Sequence, residues 1–280
     1  MKAILDDFRR DLADYVRRAP ENYVSASMAL DMFDEGQRLY DDPIVYVGSA
    51  NDSLWEELKK PEAVGHLFRT PREWMPEAKS VVSYFAPFSD YVVNGNGMDP
   101  VDVGHGWLYA RVEGQQFLHN VNHFIEGWFA GRGIRAFSPY ASSDFQYVFA
   151  AGSSPSVKDK ELAYTSNWSE RHVAYVCGMG TFGLSKALIT PKGVCGRFGS
   201  VICDAPLPVN RRPYTGVYDY CIKCGACTRC PGGAITMQGK TNAACSKYVE
   251  VLRDKYAPRF GCGKCYVKTP CERGIPTKKY

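Results

Sequence analysis

No stretch of this 280-residue chain approaches eighteen consecutive apolar residues, so no membrane-spanning helix is expected. Runs of five or six like charges are also missing. With 34 Lys and Arg against 30 Asp and Glu the formal net charge is +4, which indicates neither a nucleic-acid arm nor a membrane-binding face. The opening MKAILDDFRRDLADYVRR sets acids among its apolar positions and has neither a continuous apolar core nor a twin-arginine export signal, so the expectation is a cytoplasmic protein with reduced thiols. Histidine is scarce, five in all. HExxH is absent, and His119 and His123, four apart, show no acidic partner in the same turn, so packing or solvent contact is expected of them. His66 and His105 stand alone, whereas His172 adjoins Arg171 just ahead of a glycine-rich loop. No internal repeat is found. The composition is that of a soluble globular protein, with length for about two domains.

Cysteine is plentiful and unevenly placed: eight of the eleven lie between Tyr220 and Glu272. The run CIKCGACTRCP sets Cys221, Cys224, Cys227 and Cys230 every third residue, so one loop can wrap a corner of an iron–sulfur cubane with three thiolates while the fourth faces away. In two-cluster ferredoxins that fourth cysteine serves the other cluster. Eight thiolates count out as two four-iron clusters, divided as Cys221, Cys224, Cys227 and Cys271 on one and Cys230, Cys245, Cys262 and Cys265 on the other. Two spacings depart from the usual pattern. Only Thr228 and Arg229 separate Cys227 from Cys230, and five residues separate Cys265 from Cys271, after which no proline follows. The alternatives are structural zinc, which closes at four ligands and rarely strings four cysteines at this pitch, and disulfides, which cysteines so close in sequence seldom form. Cys177, Cys195 and Cys203 are left over and are expected to be small buried apolar residues.

Apolar periodicity predicts a helix over 2–18, a second near 28–36, a short helix through Trp55 and Leu58 capped by Asp52 or Ser53, and a long helix over 109–130 closed by Gly131 to Gly133. Strands are expected at 44–47, 81–85, the IRAF stretch, 187–190 and 200–203, with a loop at the NGNG of Asn94 to Gly97. The long irregular stretch from Ser138 to Asn167, rich in Ser and aromatics, is taken as lining a site. Helices and strands alternate too loosely for a doubly wound sheet, so the fold class expected is mixed α/β or α+β. Gly178, Gly180 and Gly183 match GxGxxG, yet 169–177 reads as a helix where a dinucleotide fingerprint needs a strand. The glycines instead allow tight turning and close approach to a large flat ligand.

The succession NWSERHVAYVCGMGTFGLSKALIT, GRFGSVICDAPLPV, the cysteine run with GGAIT, CSKYVE and GCGKC resembles the epoxyqueuosine reductases and their relatives the reductive dehalogenases, as do TPREWMPEAKSVV and LYAR upstream. The resemblance implies a nitroreductase-like domain over 1–213 holding base-off cobalamin, and a ferredoxin-like domain over 214–280 holding two 4Fe–4S clusters as electron supply. On this reading Gly178, Met179, Gly180, Thr181, Phe182, Gly183 and Ser185 line the corrinoid. Tyr164, seven residues before Arg171, takes the place of the reductases' acidic proton donor, as a tyrosine does in the dehalogenases. Arg171 would orient substrate or lower the phenol pKa. Expected with this are a small-molecule substrate, a ferredoxin or flavodoxin as electron donor, and no membrane partner. A tRNA substrate is not expected, because the helical repeats that follow the clusters in the reductases are missing, and a respiratory role is not expected without the export signal. The other readings are an electron carrier or corrinoid-handling protein without turnover, and an FMN-dependent reductase on the same scaffold.

Overall fold

Leu5, Phe8, Leu12 and Val16 recur every three or four residues, and in the structure, a computed structural model describing residues 1–150 and 152–277, they are the buried stripe of the helix Lys2–Arg18. That stripe lies on the helix Glu113–Ala130, where Phe8 meets Trp128 and Phe129 with ring centroids 5.1 and 5.0 Å apart and Tyr15 stacks on Phe124 at 4.2 Å. The single helix expected over 109–130 is two, His105–Arg111 and Glu113–Ala130, broken at Val112 where ψ falls to −71°. The break lets the two faces serve different partners. Trp107 turns toward Phe88 and Tyr266, while Phe117 packs on Tyr15 and Tyr40.

The strands Ile44–Ser49, Ser80–Pro87, Gly196–Cys203 and Ala136–Phe137 hydrogen-bond in that spatial order, every pair antiparallel, which makes the mixed fold an α+β one. All eight residues of Ser80–Pro87 are buried, as a central strand covered on both faces requires. Val82 and Tyr84 face the helices Lys2–Arg18 and Glu113–Ala130; Val81 and Phe85 face a second layer of Trp55, Phe68, Trp168 and the helix Glu170–Val176.

Three local expectations are corrected. Residues 28–36 form turns rather than a helix, because the Asp34 carboxylate accepts from the phenols of Tyr91 and Tyr109 and meets His105, bending the chain around itself. The NGNG sequence lies inside the helix Asp90–Met98, whose N-cap is Ser89. Its polar residue is consumed by tertiary bonds, since Asn96 donates to the Cys262 carbonyl and accepts from the Gly104 amide. His123 does have an acidic partner one turn on, Glu126 at 3.1 Å, while His119 stacks on Tyr140. At the helix Leu54–Glu57 the capping acceptor is Asp52, which takes the Leu54 amide.

The cysteine-bearing segment adds a hairpin, Ile235–Thr236 with Gly239–Lys240, and the helix Asn242–Tyr256. It shares the main core: Leu252 and Val267 belong to the same apolar cluster, with Tyr220, Cys221, Cys262 and Cys271 packed against it.

Candidate functional site

The run from Cys221 turns on Gly225, at φ +75°, into the 3-10 turn Ala226–Arg229. Both the amide and the hydroxyl of Thr228 donate to the Gly225 carbonyl at 2.8 Å, holding that turn closed. Cys221, Cys224, Cys227 and Cys271 open on one pocket, which Gly183, Leu184 and Ser185 also line. Cys230, Cys245, Cys262 and Cys265 form a second group, in which Cys265 lies within electrostatic reach of the other three and Cys262 within that of Cys230 and Cys245.

Both unusual spacings have a local cause. Arg229, in the shortened Cys227–Cys230 step, donates to the carbonyls of Lys264, Val267 and Lys268 and so ties the run to the second CxxC. The long Cys265–Cys271 step holds Thr269, whose hydroxyl donates to the Tyr266 carbonyl at 2.9 Å and lies 3.3 Å from the Cys271 sulfur, returning that cysteine to the first group.

The turn Gly261–Cys265 is clamped from the main domain. Lys264 is buried, and its Nζ donates to the carbonyls of Asn96 and Asp99 at 2.6 and 2.9 Å, filling the open end of the helix Asp90–Met98. Gly263, at φ +69°, lies flat on Trp107, and any Cβ there would overlap the indole.

Among the described residues, no three His, Cys, Asp or Glu side chains converge on a point that one ion could occupy. A cubane makes no such demand, because each thiolate binds its own iron and the sulfurs ring the cluster. Two groups of four thiols fit two such clusters. Burial pushes the free thiols of Cys262 and Cys265 up to about 11 and about 12, with Lys240 opposing the rise at Cys265, so bound iron would have to supply what stabilises their thiolates.

The glycine loop follows the helix Glu170–Val176 and enters the hairpin Thr181–Phe182 with Leu188–Ile189, an arrangement unlike the strand–turn–helix of a dinucleotide fingerprint. Gly180 is pressed on the Ile189 carbonyl, leaving no room for a Cβ. The Thr181 hydroxyl accepts from the Tyr220 amide at 2.9 Å, and the Phe182 amide donates to the Val217 carbonyl at 2.7 Å. Of the seven residues expected to line a corrinoid, Met179, Gly180, Thr181 and Phe182 are thus packed in protein, Gly178 is turned against Arg211 and Arg212, and Gly183 and Ser185 face the first cysteine pocket. The loop joins the cysteine run to the sheet domain.

Arg171 donates to the Tyr266 hydroxyl at 3.1 Å, beside Cys265. Tyr164 is 39% exposed, takes a left-handed φ of +56° and meets Phe149 edge-on at 5.6 Å. No hydrogen bond joins Tyr164 to Arg171 among the described residues. Tyr147, Phe149 and Tyr164 form an exposed aromatic string on the irregular segment.

Periodicity did not reveal the buried polar group behind Arg171. Ser200 donates to Glu170 Oε2 at 2.7 Å and accepts from the Trp168 indole at 3.0 Å, while Glu170 Oε1 is sealed without a partner. Burial raises that carboxyl to about 8, against the opposing hydrogen bonds of Ser200 and Trp168. His172 is pushed down to about 4, mainly by burial and further by Arg171, so the ring against Phe182 is neutral. The only sequence hint was a Glu at the first turn of a helix whose opposite strand carries a Ser. Leftover Cys177, Cys195 and Cys203 are all buried.

What these elements define is an antiparallel-sheet domain joined through a glycine hairpin to a two-group cysteine segment. No family model matches the chain. Epoxyqueuosine reductase of Listeria monocytogenes serovar 1/2a is 31% identical over 135 residues, 43% of this chain and 34% of that protein, so the matched stretch spans about a third of the curated relative. An epoxyqueuosine reductase solved with an epoxyqueuosine-modified tRNA-Tyr stem loop aligns with TM-score 0.53 and 17% identity, over 97% of this chain and 67% of that one. A reductive dehalogenase solved in connection with B12-dependent dehalogenation aligns with TM-score 0.50 and 15% identity, over 83% and 30%. The chain resembles the epoxyqueuosine reductases in sequence and has the fold seen in them and in reductive dehalogenases. Among the described residues no helix is long and apolar enough to cross a membrane.

Proposed function

We propose that this chain is an oxidoreductase that reductively cleaves a carbon–oxygen or carbon–halogen bond, with residues 214–280 as electron inlet and residues 1–213 holding cobalamin and substrate. The observation that carries it is the gathering of eight thiols into two groups of four, one against Gly183 to Ser185 and one beside Tyr266 and Arg171. Cys221, Cys224, Cys227 and Cys271 hold one 4Fe–4S cluster; Cys230, Cys245, Cys262 and Cys265 hold the other. If bound, cobalamin would supply a strongly reducing nucleophilic metal centre, and of the residues expected to line it Gly183 and Ser185 are the ones at a pocket. Around it the protein binds and protonates. Tyr164, on the exposed aromatic string, presents a phenol for the product's proton, and Arg171, fixed by Tyr266, positions the substrate. The donor of electrons is a low-potential carrier of the ferredoxin or flavodoxin kind.

A tRNA nucleoside stands beside a small molecule as substrate. The expectation against tRNA is not kept, because a neighbour of this fold was solved with a modified stem loop. Anaerobic reconstitution with iron, sulfide and cobalamin tests the reading. About eight irons per chain and a corrinoid absorption spectrum are expected, followed by turnover of an epoxide-bearing stem loop or a halogenated aromatic. Protein that takes up iron but no corrinoid would sink the cobalamin reading and leave an electron carrier.

A further inference from the structure

The first cysteine group opens on a cationic face. Among the described residues Cys224 is the one exposed thiol of the eight, and the pocket it shares with Cys221, Cys227 and Cys271 has Leu184, Ile222, Pro270 and Pro276 in its walls and no aromatic ring. Three lysines border it: Lys186 follows Ser185, Lys223 lies between Ile222 and Cys224, and Lys268 precedes Thr269, each beside a residue that lines the pocket. All three are exposed. Their backbones are left-handed, at φ +59°, +51° and +50°, and among the described residues Tyr164 is the one other non-glycine residue of that kind. Glycine or asparagine takes this conformation with less strain, so what lysine adds at these turns is its charge. The turns are fastened to the cysteine run. The Lys186 amide donates to the Gly183 carbonyl at 2.8 Å, and a Cβ on Gly183 would lie 3.8 Å from the Cys221 sulfur. Arg229 donates to the Lys268 carbonyl at 3.0 Å, while the Lys268 stem lies on Gly97 of the helix Asp90–Met98. Among the described residues none of the three lysines forms an ion pair, and the acids beside them in the chain are engaged. Glu272 accepts from the Lys268 amide and pairs with Arg273, and Asp219 accepts from the amides of Thr215 and Gly216.

Exposed cations that no carboxylate answers draw an anionic partner from about one Debye length, roughly 10 Å at 0.1 M salt. A nucleic-acid strand would feel them too, but single strands are held by aromatic rings set among the cations, and no ring lines this pocket. A small apolar centre rimmed by charge fits instead a folded protein whose carboxylates surround its own contact. The exposed Cys224 gives such a partner close approach to the first group, whereas the second group is the one beside Tyr266 and Arg171. We propose that the face around Cys224, with Lys186 and Lys223 at its rim and Lys268 at its edge, docks an acidic electron-carrier protein, which makes the first cysteine group the point of electron entry. This surface deepens the function proposed above and rests on it for the presence of clusters. Carrier and chain exchange one electron per encounter, the carrier oxidised by one and the iron of the first group reduced by one.

Titration of the iron-loaded chain with an oxidised, acidic plant-type ferredoxin, followed by calorimetry at low ionic strength, tests the surface without turnover. Binding should weaken about threefold to tenfold in Lys186→Gln and in Lys223→Gln, as for loss of one rim charge, and less in Lys268→Gln, whose stem lies on Gly97. It should weaken in the wild type as salt is added. Arg10→Gln, an exposed residue paired with Asp7 and Asp11 on the first helix, should leave it unchanged. In stopped flow, reduction of the iron by the reduced ferredoxin should slow in the same variants, with reduction by dithionite and the iron content unchanged. Lys223 lies between two cysteines of the first group, so if Lys223→Gln loses iron, Lys186→Gln carries the test. Absence of ferredoxin binding in the wild type, equal affinity in wild type and Lys186→Gln, or salt-independent binding overturns the surface. So does an epoxide-bearing stem loop that binds more weakly to Lys186→Gln while the ferredoxin binds equally, which would assign the lysines to nucleic acid. Lysine-dependent docking on protein that takes no corrinoid would keep the surface and remove the cobalamin reading. Corrinoid uptake by protein that docks no carrier would do the reverse.

Discussion

Replacing Glu170 with glutamine should make the protein more stable at alkaline pH and flatten its pH dependence. The folded carboxyl is raised by burial from 4.5 to about 8. Once unfolded, the same group ionises at its ordinary value, so from about pH 4.5 upward unfolding releases a proton that the folded state retains. Stability contributed by this proton is therefore complete below the unfolded pKa and is lost as pH rises through the window up to about 8. At about 1.4 kcal/mol per pH unit the loss totals on the order of 5 kcal/mol. Glutamine is neutral throughout, has the shape of the protonated acid and keeps an acceptor for the Ser200 hydroxyl. Thermal unfolding of oxygen-free protein, compared between wild type and Glu170→Gln at each pH, should show near-equal stability at about pH 5 and a growing advantage of the variant toward about pH 8. Infrared spectroscopy should show a protonated carboxyl band in the wild type at neutral pH that the variant lacks. Parallel stability curves across that window would refute the reasoning.

Gly263→Ala and Gly133→Ala place the same substitution at the same φ of +69°, one against Trp107 and one in open space. The first should cost several kcal/mol and release the second cluster, and the second only about 1 kcal/mol, read as Tm and iron content. Cys271→Ser should strip the first cluster alone and Cys245→Ser the second alone, leaving about four irons in each case by analysis and electron paramagnetic resonance. Loss of both from either change would contradict the two-group division. Lys264→Met leaves the carbonyls of Asn96 and Asp99 without a donor and should destabilise the protein by roughly 3 kcal/mol, with the iron held by Cys262 and Cys265 becoming the more labile half. Tyr164→Phe should lower turnover about a hundredfold or more with corrinoid binding unchanged; an unchanged rate would remove Tyr164 from the chemistry.

Much of the chain could be read locally. The first helix shows its buried face in Leu5, Phe8, Leu12 and Val16 because a 3.6-residue period survives any tertiary context. The strands at Ile44–Ser49 and Ser80–Pro87 were found with ends short by up to two residues, since pairing with neighbours extends them beyond their apolar centres. Where reading failed, long-range partners had outbid local preference. Asn94 to Gly97 looks like a loop until Asn96 is bonded to Cys262, and residues 28–36 look helical until Asp34 gathers two tyrosines and a histidine.

By itself the sequence determined a mixed fold of helices and strands, the eight-cysteine inventory and the helix ahead of the glycine loop, because spacing and periodicity are properties of neighbours along the chain. Tertiary structure alone decided what those glycines do. Gly180 and Thr181 bind a hairpin to the cysteine run, and only Gly183 to Ser185 are left facing the first cysteine pocket. It also decided that Glu170, buried against Ser200, has its carboxyl pushed up to about 8. The charge and burial of such a group depend on elements as far apart as residues 170 and 200, and no local pattern carries that information.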